Sequence, residues 1–203
     1  MTDIAGYLAR KAHAALGRPL ANPELEQAHK YLNLLLKWQK SQRLVGSDEP
    51  QWIVDNVIAD SLLFRRALPE RITTLADVGS GAGVPGVPLA VVLPNVSMTL
   101  IEARQKRASF LATVIRELAL RNCTLLNDRL ENVAMQLAGS FDAVVMRCAG
   151  DPTSLLPQIR RILAHGGIVV ASGPPRRFDV AAGDWLEIKG SNRPRRFWVH
   201  HIT

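Results

Sequence analysis

Cysteine is almost absent from this chain, and what little there is rules out two classes of protein. Cys123 and Cys148 are the only two in 203 residues. They have neither the spacing of a zinc site nor a CxxC redox pair, and read as reduced, partly buried thiols. Long hydrophobic runs are missing too. The stretch from Val84 to Leu93 is interrupted by proline and glycine and falls well short of the roughly 20 residues that a bilayer crossing requires. No internal repeat or low-complexity tract is present. The segment "MTDIAGYLARKAHAALG" carries its basic residues after its apolar ones, unlike a secretory signal. The chain therefore reads as a cytoplasmic protein without membrane association, and as a monomer. Three of the five histidines, His13, His29 and His165, are isolated. His200 and His201 are neighbours in a strand-like run and must point to opposite faces. Neither a metal cluster nor a Ser/His/Asp set can be assembled, so no metal is expected.

The charge is lopsided, with 25 Lys and Arg against 18 Asp and Glu for a formal +7. A polyanionic partner, nucleic acid before membrane, is the natural inference. The chain is long enough to bury a core without staples and divides by periodicity. In "NPELEQAHKYLNLLLKWQKSQRL", Asn22 reads as the N-cap, Pro23 as the first helical residue, and Leu25, Ala28, Leu32 and Leu35 form an apolar stripe. A second helix is expected from Gln51 to Ala67. From Ile72 onward strands and helices alternate: "TTLADV", "PGVPLAVVL", "SMTLIE", "ARQKRASFLATVIRELAL", "CTLLN", "NVAMQLA", "FDAVVMR", "DPTSLLPQIRRILA" and "GIVVAS". Strands apolar on both faces and separated by helices predict a mostly parallel α/β sheet. "DWLEIKG" and "RRFWVHHIT" add two strands as an antiparallel edge. The division is a helical extension, 1–71, packed on a Rossmann-like domain, 72–203.

The stretch "LADVGSGAGVPGVPLAVVL" places Gly79, Gly81, Gly83 and Gly86 in the first strand-to-helix turn. In open α/β sheets ligands sit beyond the carboxyl ends of the strands, and there the backbone approaches them most closely. Glu102 ends the second strand 23 positions after Gly79, where an acid can accept two ribose hydroxyls. Val84 stands where a dinucleotide fingerprint has its third glycine, which disfavours NAD. No Lys-Ser/Thr pair follows the last glycine, which disfavours a nucleoside triphosphate. G-x-G-x-G preceded by an acid, Asp77, matches the S-adenosylmethionine site of methyltransferases. Asp77, Gly79, Gly81, Gly83 and Glu102 are thus the cofactor-binding candidates read from the residues themselves.

"DVGSGAGVPGVPLA", "TLIEARQKRASFL", "NDRLENV" and "FDAVVMRCA" together resemble glucose-inhibited division protein B, also called ribosomal RNA small subunit methyltransferase G. "LLLKWQKSQRLVGSDEP" and "IADSL" are similar to the helical part of that family. The resemblance spans roughly Tyr31 to Arg147, and its most specific element is the "GVPGVPLA" after the first glycines. It implies a class I S-adenosylmethionine-dependent methyltransferase with a seven-stranded sheet, acting on guanine N7 in small-subunit ribosomal RNA, with the RNA or the small ribosomal subunit as partner. Carried over by residue, it implies cofactor contacts at Gly79, Val84, Leu130, Glu131 and Arg147, and assigns Arg147 as the residue on which catalysis turns. Guanine N7 carries no proton, so an otherwise bare site fits the chemistry. The chain departs from the family at Val57, where a histidine is usual, at Met146, and at Ser172, where a lysine is usual. These departures are expected on the substrate side, and they leave open a different RNA or a small molecule as substrate, or a noncatalytic RNA-binding module.

Basic residues gather in "EARQKR" (Arg104, Lys106, Arg107), "PPRRF" (Arg176, Arg177) and "KGSNRPRRFWVHH" (Lys189, Arg193, Arg195, Arg196). Arg176, Arg177, Arg193, Arg195 and Arg196 are the RNA-binding candidates, since phosphate contacts hold a nucleic acid without reading its sequence. Phe197 and Trp198 read as strand packing, one on each side, with base stacking as the alternative.

Overall fold

A computed structural model describes residues 3–147, 152–172, 183–190 and 193–202. Its centre is a seven-stranded sheet: β1 (Thr74–Val78), β2 (Ser97–Ile101), β3 (Cys123–Leu126), β4 (Phe141–Arg147), β5 (Leu163–Ser172), β6 (Asp184–Lys189) and β7 (Pro194–His201). The spatial order is β3-β2-β1-β4-β5-β7-β6, with β1 to β5 mutually parallel, β7 antiparallel to β5, and β6 at the edge antiparallel to β7. The order reverses between β1 and β4. Parallel neighbours joined by crossovers leave a crevice at that reversal, at the carboxyl edge of the strands.

Alternation along each strand builds two cores. Leu75, Leu100, Ala143, Val145, Val170 and Phe197 face one side, and Ala76, Ile101, Val144, Met146, Val169 and Trp198 face the other. Phe197 and Trp198 therefore do lie on opposite faces, yet both are buried. Phe64 meets the Phe197 ring edge-on at 4.9 Å, and Trp198 stacks on His200 at 5.4 Å. Neither aromatic is left for a base.

The N-terminal helices cover the first of these faces. Helix α1 (Ile4–Leu16) starts where Asp3 accepts the Gly6 N–H at 3.0 Å and ends at Gly17, whose φ of 77° suits glycine. Helix α2 (Asn22–Gln42) begins one residue earlier than the sequence predicts, with Ala21 and not Asn22 at the N-cap. Ala cannot accept a capping bond, so the end is held otherwise. Glu24 accepts the Ala21 N–H at 2.8 Å and takes both Arg18 guanidinium nitrogens at 2.7 Å. Tyr31, Leu32 and Leu35 of α2 share the core that contains Leu75 and Leu100. Extension and sheet have one hydrophobic interior.

The helix expected over 51–67 is composite. It runs as regular helix from Pro50–Ile53, as a π turn from Val54–Ala59, as helix again through Asp60–Leu62 and as a tight 3-10 turn from Leu63–Arg66. Elsewhere the expected helices shorten to Gly86–Val92, Gln105–Glu117, Leu130–Val133 and Pro152–Ile162. The segment expected as helix over 132–138 contributes only its first residues; Asn132 and Val133 close a single turn begun at Leu130.

Gly86 shows how tightly the crossover helix seats. A Cβ there would stand 2.3 Å from Leu100 Cδ2 and 2.6 Å from Asp77 Oδ2, although the backbone is ordinary helix. Gly86→Ala is expected to destabilise the fold by about 1–3 kcal/mol, the cost of overpacking a close interface. Urea unfolding monitored by tryptophan fluorescence measures it.

Candidate functional site

Gly79, Gly81 and Gly83 have φ of 72°, 59° and 89°, in the region that side chains avoid. The loop folds back because β1 must hand over to a helix within a few residues. The same turn contains a cis peptide between Val84 and Pro85. Two carboxylates pin it from below and beside. Asp77, at the end of β1 and wholly buried, accepts the Gly86 N–H at 2.9 Å through Oδ2. Its Oδ1 makes no hydrogen bond. Glu102, just past β2 and only 5% exposed, accepts the Gly81 N–H at 2.8 Å with one oxygen and the Arg104 N–H at 2.7 Å with the other. From above, the Tyr31 hydroxyl of α2 donates to the Ala82 carbonyl at 2.7 Å. The sequence reading missed Tyr31, because an apolar-stripe position on a helix carries no sign that its hydroxyl reaches a loop 51 residues away.

Burial pushes the Asp77 carboxyl up to about 7, against the Gly86 N–H that favours its ionised form. Burial likewise raises the Tyr31 hydroxyl; the nearby Asp77 adds to that rise and Arg147 opposes it. Arg147 is therefore within electrostatic reach of the loop.

Register explains that reach. Asp77 lies opposite Val145, so Gly79 and Arg147, two residues further along parallel strands, flank the crevice between β1 and β4. Arg147 shares the face of Ala143 and Val145 and turns toward the composite helix, donating to the Asn56 carbonyl at 2.5 Å and lying 3.8 Å from the Asp60 carboxylate. Because β7 runs antiparallel, its early residues come to the same carboxyl edge. Arg195, on the face of Phe197, pairs with Asp60 and reaches Asn56 Oδ1 at 3.3 Å. Asp60 and Asn56, four apart on one helix face, thus hold two arginines from two strands. The π turn loosens the regular ladder at this place, and its carbonyls are taken by side chains, that of Val57 by Ser61 Oγ at 2.5 Å.

The other sequence candidates fall as follows. Val84 is half-buried beside the loop, Leu130 is buried at the start of its short helix and Glu131 is exposed next to it. Asn127, between β3 and that helix, donates to the Glu102 carbonyl at 2.8 Å, so the β2 and β3 ends are tied together. Arg193 is exposed, and Arg196 is exposed beside Glu187 at 3.3 Å. Arg195 is half-buried in the Asp60 pair. Arg176, Arg177 and Cys148 lie outside the described residues. Of the departures, Val57 and Met146 are buried on opposite sides of the sheet, as parts of its two cores, while Ser172 is half-buried opposite Arg147 at the carboxyl edge. Only Ser172 stands where a substrate could meet it. Among the described residues no group of acids, histidines and cysteines could hold a metal, and no helix is long and apolar enough to cross a membrane.

The model of the family described as GidB, rRNA small subunit methyltransferase G, matches residues 24–174. The chain belongs to this family. It is 33% identical over 178 residues to ribosomal RNA small subunit methyltransferase G of Polynucleobacter asymbioticus, covering 84% of this chain and 80% of that protein. It is 36% identical over 149 residues to the protein of the same name from Halorhodospira halophila, covering 73% and 69%. Among solved structures, a methyltransferase from Geobacter sulfurreducens superposes with a TM-score of 0.61 at 15% identity, covering 89% of this chain and 91% of that one. A SAM-dependent methyltransferase from Aquifex aeolicus superposes at 0.59 and 13% identity, over 77% and 95%. This chain thus has the fold of these methyltransferase structures, with its N-terminal helices over one face of the sheet.

Asp77 yields a pH test. Its pKa rises from 3.8 in the unfolded chain to about 7 in the fold, so between those values the native state holds a proton that the unfolded state has lost. The contribution of this group is fully present below about pH 4 and is lost as pH rises through 7. Asp77→Asn is expected to flatten that part of the stability profile, read from urea midpoints at pH 5 and pH 8; parallel slopes in both proteins would refute it.

Proposed function

We propose that the protein transfers a methyl group from S-adenosylmethionine to guanine N7 of small-subunit ribosomal RNA, in the cytoplasm. The observation that carries this reading is the glycine loop pinned by Asp77 and Glu102 at the β1/β4 crevice, in a chain of the rRNA small subunit methyltransferase G family.

The residues present suit that cofactor. Glu102 uses one lone pair on each oxygen for a backbone N–H, which leaves each oxygen able to accept a ribose hydroxyl. Gly79, Gly81 and Gly83 keep the loop free of Cβ atoms, so backbone can lie against the ligand. Leu130, its side chain buried in the second core, and the exposed Glu131 begin the short helix after β3, and their backbone would lie near the adenine. When bound, S-adenosylmethionine supplies a methyl group on a sulfonium.

The work left to the chain is positioning. Guanine N7 presents an in-plane lone pair and no proton, so the step needs no general base: the carbon–sulfur bond breaks as the carbon–N7 bond forms, and positive charge passes to the purine. Arg147, at the crevice wall between loop and composite helix, faces the place where base and methyl donor meet. Arg193 and Arg196, exposed at the same edge, supply phosphate contacts along with Arg104 and Lys106 beside the loop; Arg176 and Arg177 belong to this set by sequence.

Purified protein, tritiated S-adenosylmethionine and small subunits lacking the modification test the reading. Label recovered as 7-methylguanosine from the small-subunit RNA is expected. Label absent from RNA and subunits, with the cofactor unbound, would remove it. Glu102→Ala is expected to weaken S-adenosylhomocysteine binding by roughly ten-fold or more in calorimetry, since it deletes a charged acceptor in a closed site.

A further inference from the structure

Asp60 is unlike the other acids of this protein: 7% exposed, and shared between two arginines that come from different strands. The sequence motif around it gives no role to the carboxylate, and the chemistry of methyl transfer to N7 has no use for a base. The surroundings do. Arg147 and Arg195 bring two positive charges to the wall of a crevice that, on the reading above, must take a cationic sulfonium and then a purine that becomes cationic. Like charges repel most strongly where burial lowers the dielectric response, and both guanidiniums are about four-fifths buried. Left alone, the pair would oppose both binding of the methyl donor and transfer of its charge. Arginine cannot relieve this by losing its proton.

We propose that Asp60 is a positioning and charge-balancing residue of the methyl-transfer site. Its carboxylate fixes Arg147 and Arg195 in one cluster with Asn56 and offsets part of their positive charge, so that the crevice accepts a cationic donor. Asn56 completes the cluster with three of its polar groups. Its carbonyl receives Arg147, its Oδ1 receives Arg195, and its Nδ2 donates to the Trp52 carbonyl at 3.0 Å.

The inference rests on the methyltransferase reading and is separable from it by comparing two ligands. S-adenosylmethionine carries the sulfonium charge, and S-adenosylhomocysteine is its neutral thioether. A residue that only supports the fold weakens both alike, whereas a residue that balances charge weakens the cationic one selectively. In calorimetric titrations Asp60→Asn is expected to raise the ratio of Kd for S-adenosylmethionine to Kd for S-adenosylhomocysteine by roughly three- to ten-fold at low salt. The shift should shrink between about 0.05 and 0.5 M salt. Asp60→Asn combined with Arg195→Gln restores the net charge and should return the ratio toward that of the unaltered protein; Asp60→Glu should keep it. Arg195→Gln alone moves the ratio the other way and serves if Asp60→Asn does not fold. An unchanged ratio in the folded variants, with both ligands bound by the unaltered protein, overturns this inference alone. Binding of neither ligand by the folded, unaltered protein removes the methyltransferase reading and this inference with it.

Discussion

The turn after β1 exists only because its backbone N–H groups have carboxylates to bond to. Gly81 and Gly86 donate to Glu102 and Asp77, which stand at the carboxyl ends of adjacent parallel strands, and Gly79, Gly81 and Gly83 adopt φ values in the left-handed region that favours glycine. Everything else at the carboxyl edge is arranged around that loop. The crossover helix begins where Asp77 receives Gly86, and its packing leaves no room for a Cβ there. Helix α2 reaches down to the same loop through Tyr31. A buried acid with one oxygen engaged and the other without a donor is costly in a finished core. That cost appears as a carboxyl whose pKa burial pushes up to about 7, in favour of its protonated form.

Charge is distributed unevenly about this loop, and the distribution makes chemical sense. Acids lie beneath and beside the glycines, where a ribose and a cationic donor would rest, with the Arg107 guanidinium next to Gly81, and Arg147 and Arg195 lie across the crevice, where a polyanion would approach. The Asp60 cluster stands at the boundary between these regions. The exposed arginines nearby have solvated or surface partners, of the kind that holds a phosphate backbone without fixing its sequence.

The sheet was legible because its strands are short apolar runs between glycine and proline punctuation, and because parallel strands buried on both faces leave a distinctive pattern. Glu102 and the glycines were legible because spacing along β1 and β2 translates directly into nearness at the carboxyl edge. The Asp60 cluster was not. It joins residues 135 apart in sequence, through a π turn that no periodicity announces and an antiparallel strand whose direction decides which end of β7 reaches the crevice. Arg195 read as an RNA-binding candidate in a basic run; the strand alternation that places it with Phe197, and not with Trp198, turns it toward Asp60. Met146 and Val57 fall on opposite faces, Met146 in the second core and Val57 in the first beside Asn56, since distance from a motif in sequence says little about which face of a sheet a residue serves.

Within the π turn, consecutive residues serve opposite neighbours. Asp55 faces α1, accepting the Tyr7 hydroxyl at 2.8 Å and pairing with Lys11 at 3.0 Å, while the carbonyl of Asn56 receives Arg147. Helix α1 and the arginine of the crevice are thus held by consecutive residues of one turn, although 48 residues separate Tyr7 from Asp55 and 91 separate Asn56 from Arg147. The helical extension is in this sense a wall of the site, with α1 serving as the abutment against which the arginine's anchor is braced.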